Sequence, residues 1–282
     1  MNEQKNDPEQ GLTRLRVVTY NTNRNDMTRE RLEKVFQRIE ALDGDVYGLQ
    51  EYLAKNVHLL RERFGDRYTI LEGDVFEDMV HHVIMVKDEA LEVVQGTAFC
   101  LTLGASNGLP GKHPEAITVR MTQGVMLQKR GGSPTSRMLF AVTQLDNVSA
   151  SAREEGNRQL LDYFASNWHP KLPKIYLGDM NINTQGYAST RKMQKPLLDI
   201  EEAGFYNTWT YANCEALHPP TFFGSENIQV EGMKDQDRYT YNPDHIFVSD
   251  GIHTVLCRVD SDDEDSSDHR SKYADVIMLD WK

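Results

Sequence analysis

The most suggestive polar pair in the chain is an aspartate and an asparagine that follow a short apolar run. Residues 175–177 are Ile-Tyr-Leu, which predicts a buried strand, and Gly178 interrupts that strand. Asp179 and Asn181 stand two positions apart, so on an extended backbone their side chains leave from the same face. A carboxylate and an amide there could orient a reacting water, although an aspartate turn that caps a strand gives the same pattern.

Polar residues of the same chemical kind stand at the ends of other predicted strands. Asn21 and Glu51 follow apolar segments, and Asp268 and His269 precede the last predicted strand. Oxygen ligands of this type, without thiolates, suit a hard cation such as Mg²⁺ or Mn²⁺. Each residue also has an ordinary interpretation, as a turn former, a helix-cap neighbour, part of an acidic run or a solvent-facing side chain. Their agreement at strand ends predicts a metal-assisted site.

The rest of the chain predicts a sequence of strands and helices that could position these residues. The predicted strands cover residues 15–20, 45–49, 82–86, 91–94, 116–128, 138–145, 175–177, 245–248, 254–258 and 274–279. The predicted helices cover residues 29–42, about 53–64, 150–168 and 196–202. This order mixes hairpins with βαβ-like units and predicts an α/β (α+β) fold of stacked sheets flanked by helices. We predict a disordered tail at residues 1–11 and a single domain over residues 12–282.

The charge of the chain limits the kinds of partner it can bind. Lys and Arg number 31 against 43 Asp and Glu, a formal charge of -12, so the surface repels nucleic acid and acidic membranes at long range. Binding of a polyanion would need bound cations or a local basic patch, such as the cluster of Lys129, Arg130 and Arg137 near a predicted hairpin tip. A solvated loop is the alternative for that cluster.

Cysteine usage and the N-terminal residues indicate an intracellular protein. Cys100, Cys214 and Cys257 are widely spaced and odd in number, which indicates neither a zinc site nor a disulfide framework. The first ten residues are polar and no apolar run approaches the length of a membrane span, so neither a signal peptide nor a membrane anchor is predicted. We predict a cytoplasmic location, with an organelle or the nucleus as alternatives, and the sequence indicates no particular partner protein.

Five segments together resemble a known superfamily. Residues 15–21, 45–51, 178–181, 244–249 and 267–269 occur in the order and approximate spacing of the endonuclease/exonuclease/phosphatase superfamily, whose fold is the deoxyribonuclease-I-like fold. The resemblance runs from about Leu15 to the C-terminus. The pair Thr221-Phe222 resembles the bacterial-type and deadenylase-like branches. The resemblance implies a four-layer sandwich, in which two packed mixed β-sheets are flanked by helices.

The resemblance also implies a role for each residue at the predicted site. Glu51 looks like the principal metal ligand, helped by Asn21 and Asp268, and the metal would be Mg²⁺ or Mn²⁺. Asp179 looks like the group that orients or deprotonates the attacking water, with Asn181 holding a non-bridging phosphoryl oxygen.

Three more residues complete the implied site. His269 would contact the phosphate, and Asp244 would be its carboxylate partner. Arg153, near the start of a predicted helix, either reaches a substrate phosphate or pairs with its neighbours Glu154 and Glu155.

Gln144 departs from the pattern, because most members that resemble this chain have histidine at this position, where it contacts the scissile phosphate. A glutamine amide donates a hydrogen bond but carries no charge and cannot transfer a proton, which could cost roughly 10²–10³ in rate. Gln144 therefore predicts slow catalysis, an altered substrate or no catalysis.

The resemblance implies a Mg²⁺-dependent phosphoester hydrolase, foremost a phosphodiesterase or nuclease that acts on RNA or DNA. Two alternatives stay open at this stage. One is a small-molecule or lipid-headgroup phosphatase, which the formal charge of -12 keeps competitive. The other is a weakened or inactive member that kept the fold for binding, which Gln144 suggests.

Overall fold

A computed structural model of the chain describes residues 12–25, 27–76, 79–104, 112–182, 191–213, 220–222, 241–260 and 266–280. The predicted tail at residues 1–11 lies outside these ranges. The strands in chain order are β1 (Leu12–Asn21), β2 (Val46–Leu53), β3 (Tyr68–Glu72), β4 (Val75–Phe76), β5 (Met79–Lys87), β6 (Leu91–Val93), β7 (Phe99–Leu103), β8 (Arg120–Lys129), β9 (Arg137–Gln144), β10 (Lys174–Asp179), β11 (Phe205–Asn207), β12 (Asp244–Ser249), β13 (Ile252–Val259) and β14 (Lys272–Leu279). The α-helices are α1 (Arg29–Leu42), α2 (Val57–Phe64), α3 (Ala150–Asn167), α4 (Arg191–Glu202) and α5 (Thr208–Asn213).

The strands form two mixed sheets. Sheet A has the order β13-β14-β1-β2-β5-β3, with β4 also paired to β5. Sheet B has the order β11-β12-β10-β9-β8-β6, with β7 also paired to β8. One parallel pair lies near the middle of each sheet, β1 with β2 and β9 with β10, and the other pairings are antiparallel.

Three apolar cores hold the layers together, because alternate residues of each strand face opposite sides of its sheet. Val17 and Leu177 belong to the core between the two sheets. Val18 lies instead in a core that contains the apolar faces of α1 and α2, and Tyr176 lies in a core that contains those of α3 and α4. This arrangement confirms the predicted α/β sandwich of two mixed sheets flanked by helices. The single domain over residues 12–282 stays a prediction.

Helix α1 shows how local sequence sets an outer layer. Leu32, Val35 and Ile39 recur at helical spacing and are buried. The side chain of Thr28 accepts a hydrogen bond from the backbone N of Arg31 and so caps the first turn. The helix ends at Leu42, and the backbone of the following residue, Asp43, is left-handed with a φ of +45°. Both bounds match the predicted helix at residues 29–42.

Three helices differ from their predictions. Helix α2 begins at Val57, because Leu53, where the predicted helix began, is the last residue of β2. Helix α4 begins at Arg191, whereas the prediction started it at Pro196, a residue that usually occupies a first turn. Helix α5 was missed because a helix of 6 residues is too short to show a periodic pattern. Among the helices in the described part of the chain, none is long and apolar enough to cross a membrane.

Gly178 is the residue that lets β10 lie against β9 immediately before Asp179. Its φ is +141°, and a Cβ built there would stand 1.9 Å from the backbone oxygen of Thr143. Replacing Gly178 with alanine is therefore expected to lower the free energy of unfolding by about 3–5 kcal/mol, because a backbone atom cannot move aside as a flexible side chain can. Urea unfolding followed by circular dichroism measures this change.

Gly96 offers a matched control, since its φ is +73° and nothing lies within 4 Å of a built Cβ. Gly96→Ala carries the cost of the unfavourable φ without the clash, so it is expected to cost only about 1 kcal/mol. Equal losses in the two variants would contradict the close approach at Gly178.

Candidate active site

Four of the predicted site residues lie at the ends of strands and face the space between the two sheets. The other residues on the same face of each strand form the apolar core between the sheets. Val17 and Leu177 fill that core, and Asn21 and Asp179 stand an even number of positions further along the same strands. The same alternation brings Gln144 and Asp244 inward. Buried apolar strands thus deliver a group of polar side chains at one end of the space between the sheets.

Glu51 reaches the same place by a different route. Strict alternation along β2 would place Glu51 on the helix side with Tyr47 and Leu49, which lie in the core under α1 and α2. Its φ is +55°, however, and the pairing of β2 with β5 is interrupted between Gln50 and Tyr52. This irregular residue turns the carboxylate toward Asn21 and Gln144, and left-handed backbone of this kind is often found at functional sites.

Asp179 is buried and held by three donors. Its Oδ2 accepts hydrogen bonds from Asn21 Nδ2 at 3.0 Å and from Gln144 Nε2 at 3.2 Å. Its Oδ1 accepts the backbone N–H of Asn181 at 3.0 Å. Burial and the charges of Asp244 and Glu51 raise the pKa of Asp179 to about 6, against the lowering effect of His269. Asp179 is therefore a stronger base than an ordinary aspartate, yet still mostly ionised at neutral pH.

Glu51 shares both amide donors with Asp179. Its Oε1 accepts a hydrogen bond from Gln144 Nε2 at 2.5 Å and from Asn21 Nδ2 at 3.3 Å. Burial alone would raise the pKa of Glu51, but the hydrogen bond from Gln144, the charge of His269 and the hydrogen bond from Asn21 bring it below its ordinary value. Glu51 is therefore ionised, and two amides fix it beside Asp179.

His269 and Asp244 form a buried ion pair. Nδ1 of His269 lies 2.9 Å from Oδ2 of Asp244. Burial alone would lower the pKa of His269, but the charge and hydrogen bond of Asp244 outweigh it and, with Asp179 and Asp268, raise the pKa to about 10. Nε2 lies 3.5 Å from Nδ2 of Asn21, and both nitrogens carry hydrogens when His269 is protonated. The Nε2–H can therefore act as a charged donor.

The raised pKa of His269 makes stability depend on pH. Below about 6.5 the imidazole is protonated in both the folded and the unfolded chain, and its full contribution is present. The contribution falls as pH rises toward 10, because the unfolded chain loses its proton first. We expect wild type to exceed His269→Gln in free energy of unfolding by about 4 kcal/mol more at pH 6 than at pH 10.

This difference is measured by urea unfolding in buffer that contains EDTA. The exposed His253 supplies the control, since His253→Gln removes the same kind of group outside the site. A gap between wild type and His269→Gln that stays constant from pH 6 to pH 10 would argue against the ion pair.

Asp268 and Asn181 complete the floor of the cleft. Burial and the charge of Glu51 raise the pKa of Asp268, while His269 opposes them. Asn181 has φ +50°, and its Nδ2 donates to the backbone oxygen of Leu145 at 3.0 Å. That bond uses one of the two amide hydrogens of Asn181, so the other can serve a ligand.

The cleft is a cavity of about 390 Å³ that brings most of the predicted site together. Its lining includes Glu51, Gln144, Asp179, Asn181, Asp268 and His269. Asn21 and Asp244 hold these side chains from behind. Arg153 does not line the cleft, because its buried side chain donates from Nη1 to the backbone oxygen of Asp146 at 2.8 Å. The structure thus places Arg153 behind the wall of the cleft, where it supports a loop.

Sequence reasoning missed Arg120, which does line the cleft. It begins β8, whereas the basic cluster considered from sequence, Lys129 to Arg137, lies at the opposite end of the β8–β9 hairpin. A strand of 10 residues spans roughly 30 Å, so that cluster is remote from the cleft. The sequence feature that could have indicated this residue is its place on the β8–β9 hairpin, at the same end of the hairpin as Gln144.

The predicted metal ligands fit a divalent cation only in part. Oε2 of Glu51 accepts one long hydrogen bond among the described residues, from Arg24 N at 3.5 Å, so Glu51 and Asp268 have the oxygen chemistry that Mg²⁺ prefers. Asn21 instead turns Nδ2 toward the carboxylates, while its Oδ1 accepts from Asn23 N at 3.0 Å. A ligand role for Asn21 would require its amide to rotate.

No set of three His, Cys, Asp or Glu side chains in the described ranges forms a metal site. Two carboxylates still suit Mg²⁺, which keeps several of its waters. We therefore retain Glu51 and Asp268 as the residues that fit a cation.

Comparison with solved structures identifies the fold. An endonuclease/exonuclease/phosphatase family protein from Bacteroides thetaiotaomicron superposes with a TM-score of 0.72 at 20% identity, over 95% of this chain and 98% of that one. A mannosyl-6-phosphatase from the same organism gives 0.70 at 19% identity, over 93% and 99%. TDP2 from D. rerio, complexed with a single-strand DNA product, gives 0.69 at 14% identity, over 93% and 98%.

These similarities show that the chain has the fold of the endonuclease/exonuclease/phosphatase family, which confirms the resemblance at the level of fold. Neither a protein-family model nor a curated protein sequence matches the chain.

Proposed function

We propose that this chain is a divalent-cation-dependent phosphoester hydrolase that cleaves a phosphodiester by in-line attack of an activated water. One observation carries the proposal: Asp179, a buried carboxylate of raised pKa, lines the same cleft as the charged donor His269. A base and a cationic donor in one cleft match the two needs of water attack at phosphorus.

Asp179 is the base in this proposal. Two amides and one backbone N–H fix the orientation of its carboxylate, which can then accept a proton from a water. Its pKa of about 6 lies close to neutral pH, where a general base works best.

His269 and Asn181 are the groups that hold the phosphoryl oxygens. The Nε2–H of His269 stays charged because Asp244 binds the opposite ring nitrogen. Asn181 contributes its remaining amide hydrogen from the strand end that carries Asp179. Fixed donors in a buried cleft stabilise negative charge that develops on these oxygens.

Glu51 and Asp268 would hold the cation, either Mg²⁺ or Mn²⁺. A bound divalent cation neutralises charge on a phosphoryl oxygen and polarises the phosphorus centre. The fold relatives support this chemistry, since one is named a mannosyl-6-phosphatase and another is complexed with a DNA product.

Specific observations favour two alternatives. The compact cleft of about 390 Å³ and the formal charge of -12 suit a small-molecule or lipid-headgroup phosphatase. The hydrogen bond from Gln144 to Glu51 favours a weakened enzyme or a binding protein, because it occupies an oxygen of the principal predicted metal ligand.

Hydrolysis of a substrate panel tests the proposal. The panel holds single-stranded RNA, single-stranded DNA, nucleotides, sugar phosphates and inositol phosphates, each assayed with Mg²⁺ and again with EDTA. We expect turnover of at least one diester with Mg²⁺ and none with EDTA, and Glu51→Gln should lower it at least about 10²-fold. Glu33→Gln on the surface of α1 is the matched control.

The outcomes separate the candidates. Turnover of monoesters alone would favour the phosphatase, and absence of Mg²⁺-dependent turnover on every substrate would contradict both hydrolase proposals. In that case, loss of a bound partner in Glu51→Gln would still show that the cleft is a functional site.

A further inference from the structure

Arg120 is a largely buried residue that lines the cleft. Nη2 donates to Oδ1 of Asn147 at 2.8 Å, and Nε lies 3.5 Å from Oδ2 of Asp146. Within the part of the chain that the structure describes, no hydrogen bond or ion pair uses Nη1, although the residue lines the cavity. The side chain is therefore fixed at two nitrogens and keeps a third for a ligand.

The wall that carries Arg120 is positive, in contrast to the floor of the cleft. Two buried arginines contact Asp146: Nε of Arg120 lies 3.5 Å from its carboxylate Oδ2, and Nη1 of Arg153 donates to its backbone oxygen at 2.8 Å. Oδ1 of Asp146 is already bound by the backbone N–H groups of Val148 and Ser149 at 2.9 and 2.6 Å. Among the side chains of Arg120, Arg153 and Asp146, the positive charges exceed the negative by one, which favours an anion.

Among the described residues, Arg120 makes no ion pair with the groups that would contact the reacting phosphate, although its positive charge acts on the carboxylate of Glu51. In the described ranges no salt bridge joins it to Glu51, Asp179 or Asp268, and its partners lie in the loop before α3. His269 and Asn181 already supply donors at the floor. The nitrogen of Arg120 that has no partner in the described ranges is therefore available to an anionic group other than the one that reacts.

Two apolar side chains lie on the same wall. Ile117 is 66% exposed and Val148 is 58% exposed, and both line the cavity together with Arg120. These exposed apolar side chains can contact the organic part of a substrate, while the neighbouring arginine binds a phosphate group attached to that organic part.

We propose that Arg120 binds a second phosphate group of the substrate, carried by the organic part that lies against Ile117 and Val148. This inference rests on the proposed function and assigns its substrate to molecules with two phosphate groups. The second phosphate comes either from a neighbouring nucleotide of a strand or from a bisphosphorylated small molecule.

Matched substrate pairs test the proposal and separate the two sources. One pair is the p-nitrophenyl ester of a thymidine phosphate with and without a phosphate on the other sugar hydroxyl. The second pair is an inositol bisphosphate and an inositol monophosphate. Wild type is expected to prefer the doubly phosphorylated member of at least one pair by about 10–100-fold in kcat/KM, mainly through KM.

Arg120→Gln should bring that preference close to one, and Arg120→Lys should keep part of it because it keeps the charge. Arg130→Gln removes the same charge at the hairpin tip and should keep the full preference. Thermal unfolding of each variant shows whether the loss of a partner for Asp146 has unfolded the chain.

Calorimetric binding in the Asp179→Asn background keeps the test independent of turnover. In at least one of the two pairs, inositol or thymidine, the bisphosphate should bind at least about 10-fold more tightly than the monophosphate. This difference in affinity should disappear when Arg120 is replaced by glutamine. This result would support the subsite even if no ester is hydrolysed and the proposed function fails. Equal loss of mono- and bisphosphate affinity in Arg120→Gln, or no preference in wild type, would overturn the inference.

Discussion

Asp179→Asn is expected to lower kcat by about 10³–10⁴-fold, the largest loss that any single substitution in this chain should cause short of unfolding it. Asparagine has nearly the same shape but cannot accept a proton at neutral pH. The side chain would stay beside Asn21 and Gln144, whose amide hydrogens can bind the carbonyl oxygen of the new amide. KM should change much less than kcat, because the donors of His269 and Asn181 remain in place.

A pH profile distinguishes a base from a residue that only supports the site. In wild type, kcat/KM should rise with pH through about 6, as Asp179 loses its proton. The residual activity of Asp179→Asn should lack this rise. Asp162→Asn, an exposed aspartate of α3, is the matched control and should behave like wild type. Retention of more than about a tenth of kcat in folded Asp179→Asn would exclude Asp179 as the base.

Much of the fold could be predicted from the sequence, because the apolar residues of the outer helices and of the inner strands each follow a recognisable pattern. The spacing of Leu32, Val35 and Ile39 gave α1 its correct bounds. The β-branched and aromatic run of β1 and the apolar run of β10 gave both strands, although their exact ends shifted by a few residues. Helix α5 lay below the length at which a period shows.

The site was only partly predictable, because some of its residues do not follow from strand alternation. The positions of Asn21 and Asp179 could be predicted, because each stands an even number of residues after an apolar residue that faces the core between the sheets. The position of Glu51 could not, because it depends on a left-handed residue within β2. The orientation of the Asn21 amide depends on its contacts in the folded chain, and so does the position of Arg153 behind the lining of the cleft. Neither can be predicted from the local sequence.

Gln144→His is expected to raise kcat by about 10²-fold, which makes it the second large effect. In wild type, Gln144 Nε2 ties Glu51 to Asp179 at 2.5 and 3.2 Å, while its Oε1 is buried with no hydrogen-bond partner among the described residues. An imidazole of similar size would replace this uncharged amide by a donor that can carry positive charge. Such a donor stabilises the charge that develops at phosphorus more strongly than an amide does.

Gln123→His is an unusually close control for this substitution. Gln123 is also a buried glutamine of sheet B, its Nε2 donates to the backbone oxygen of Leu71 at 3.3 Å, and its Oε1 also lacks a partner among the described residues. The same exchange there should leave kcat unchanged apart from any loss of folded protein. Initial rates on the best substrate of the panel, with Mg²⁺ and equal amounts of folded enzyme, measure both variants.

The direction of the change decides what Gln144 does in this chain. A gain confined to Gln144→His means that the natural glutamine limits a working phosphoryl-transfer site, as the weakened-enzyme alternative holds. A loss of kcat in folded Gln144→His means the opposite. The amide bridge between Glu51 and Asp179 would then be the arrangement that catalysis in this protein requires, because a histidine nitrogen on that side cannot donate to two carboxylates as an NH₂ group does.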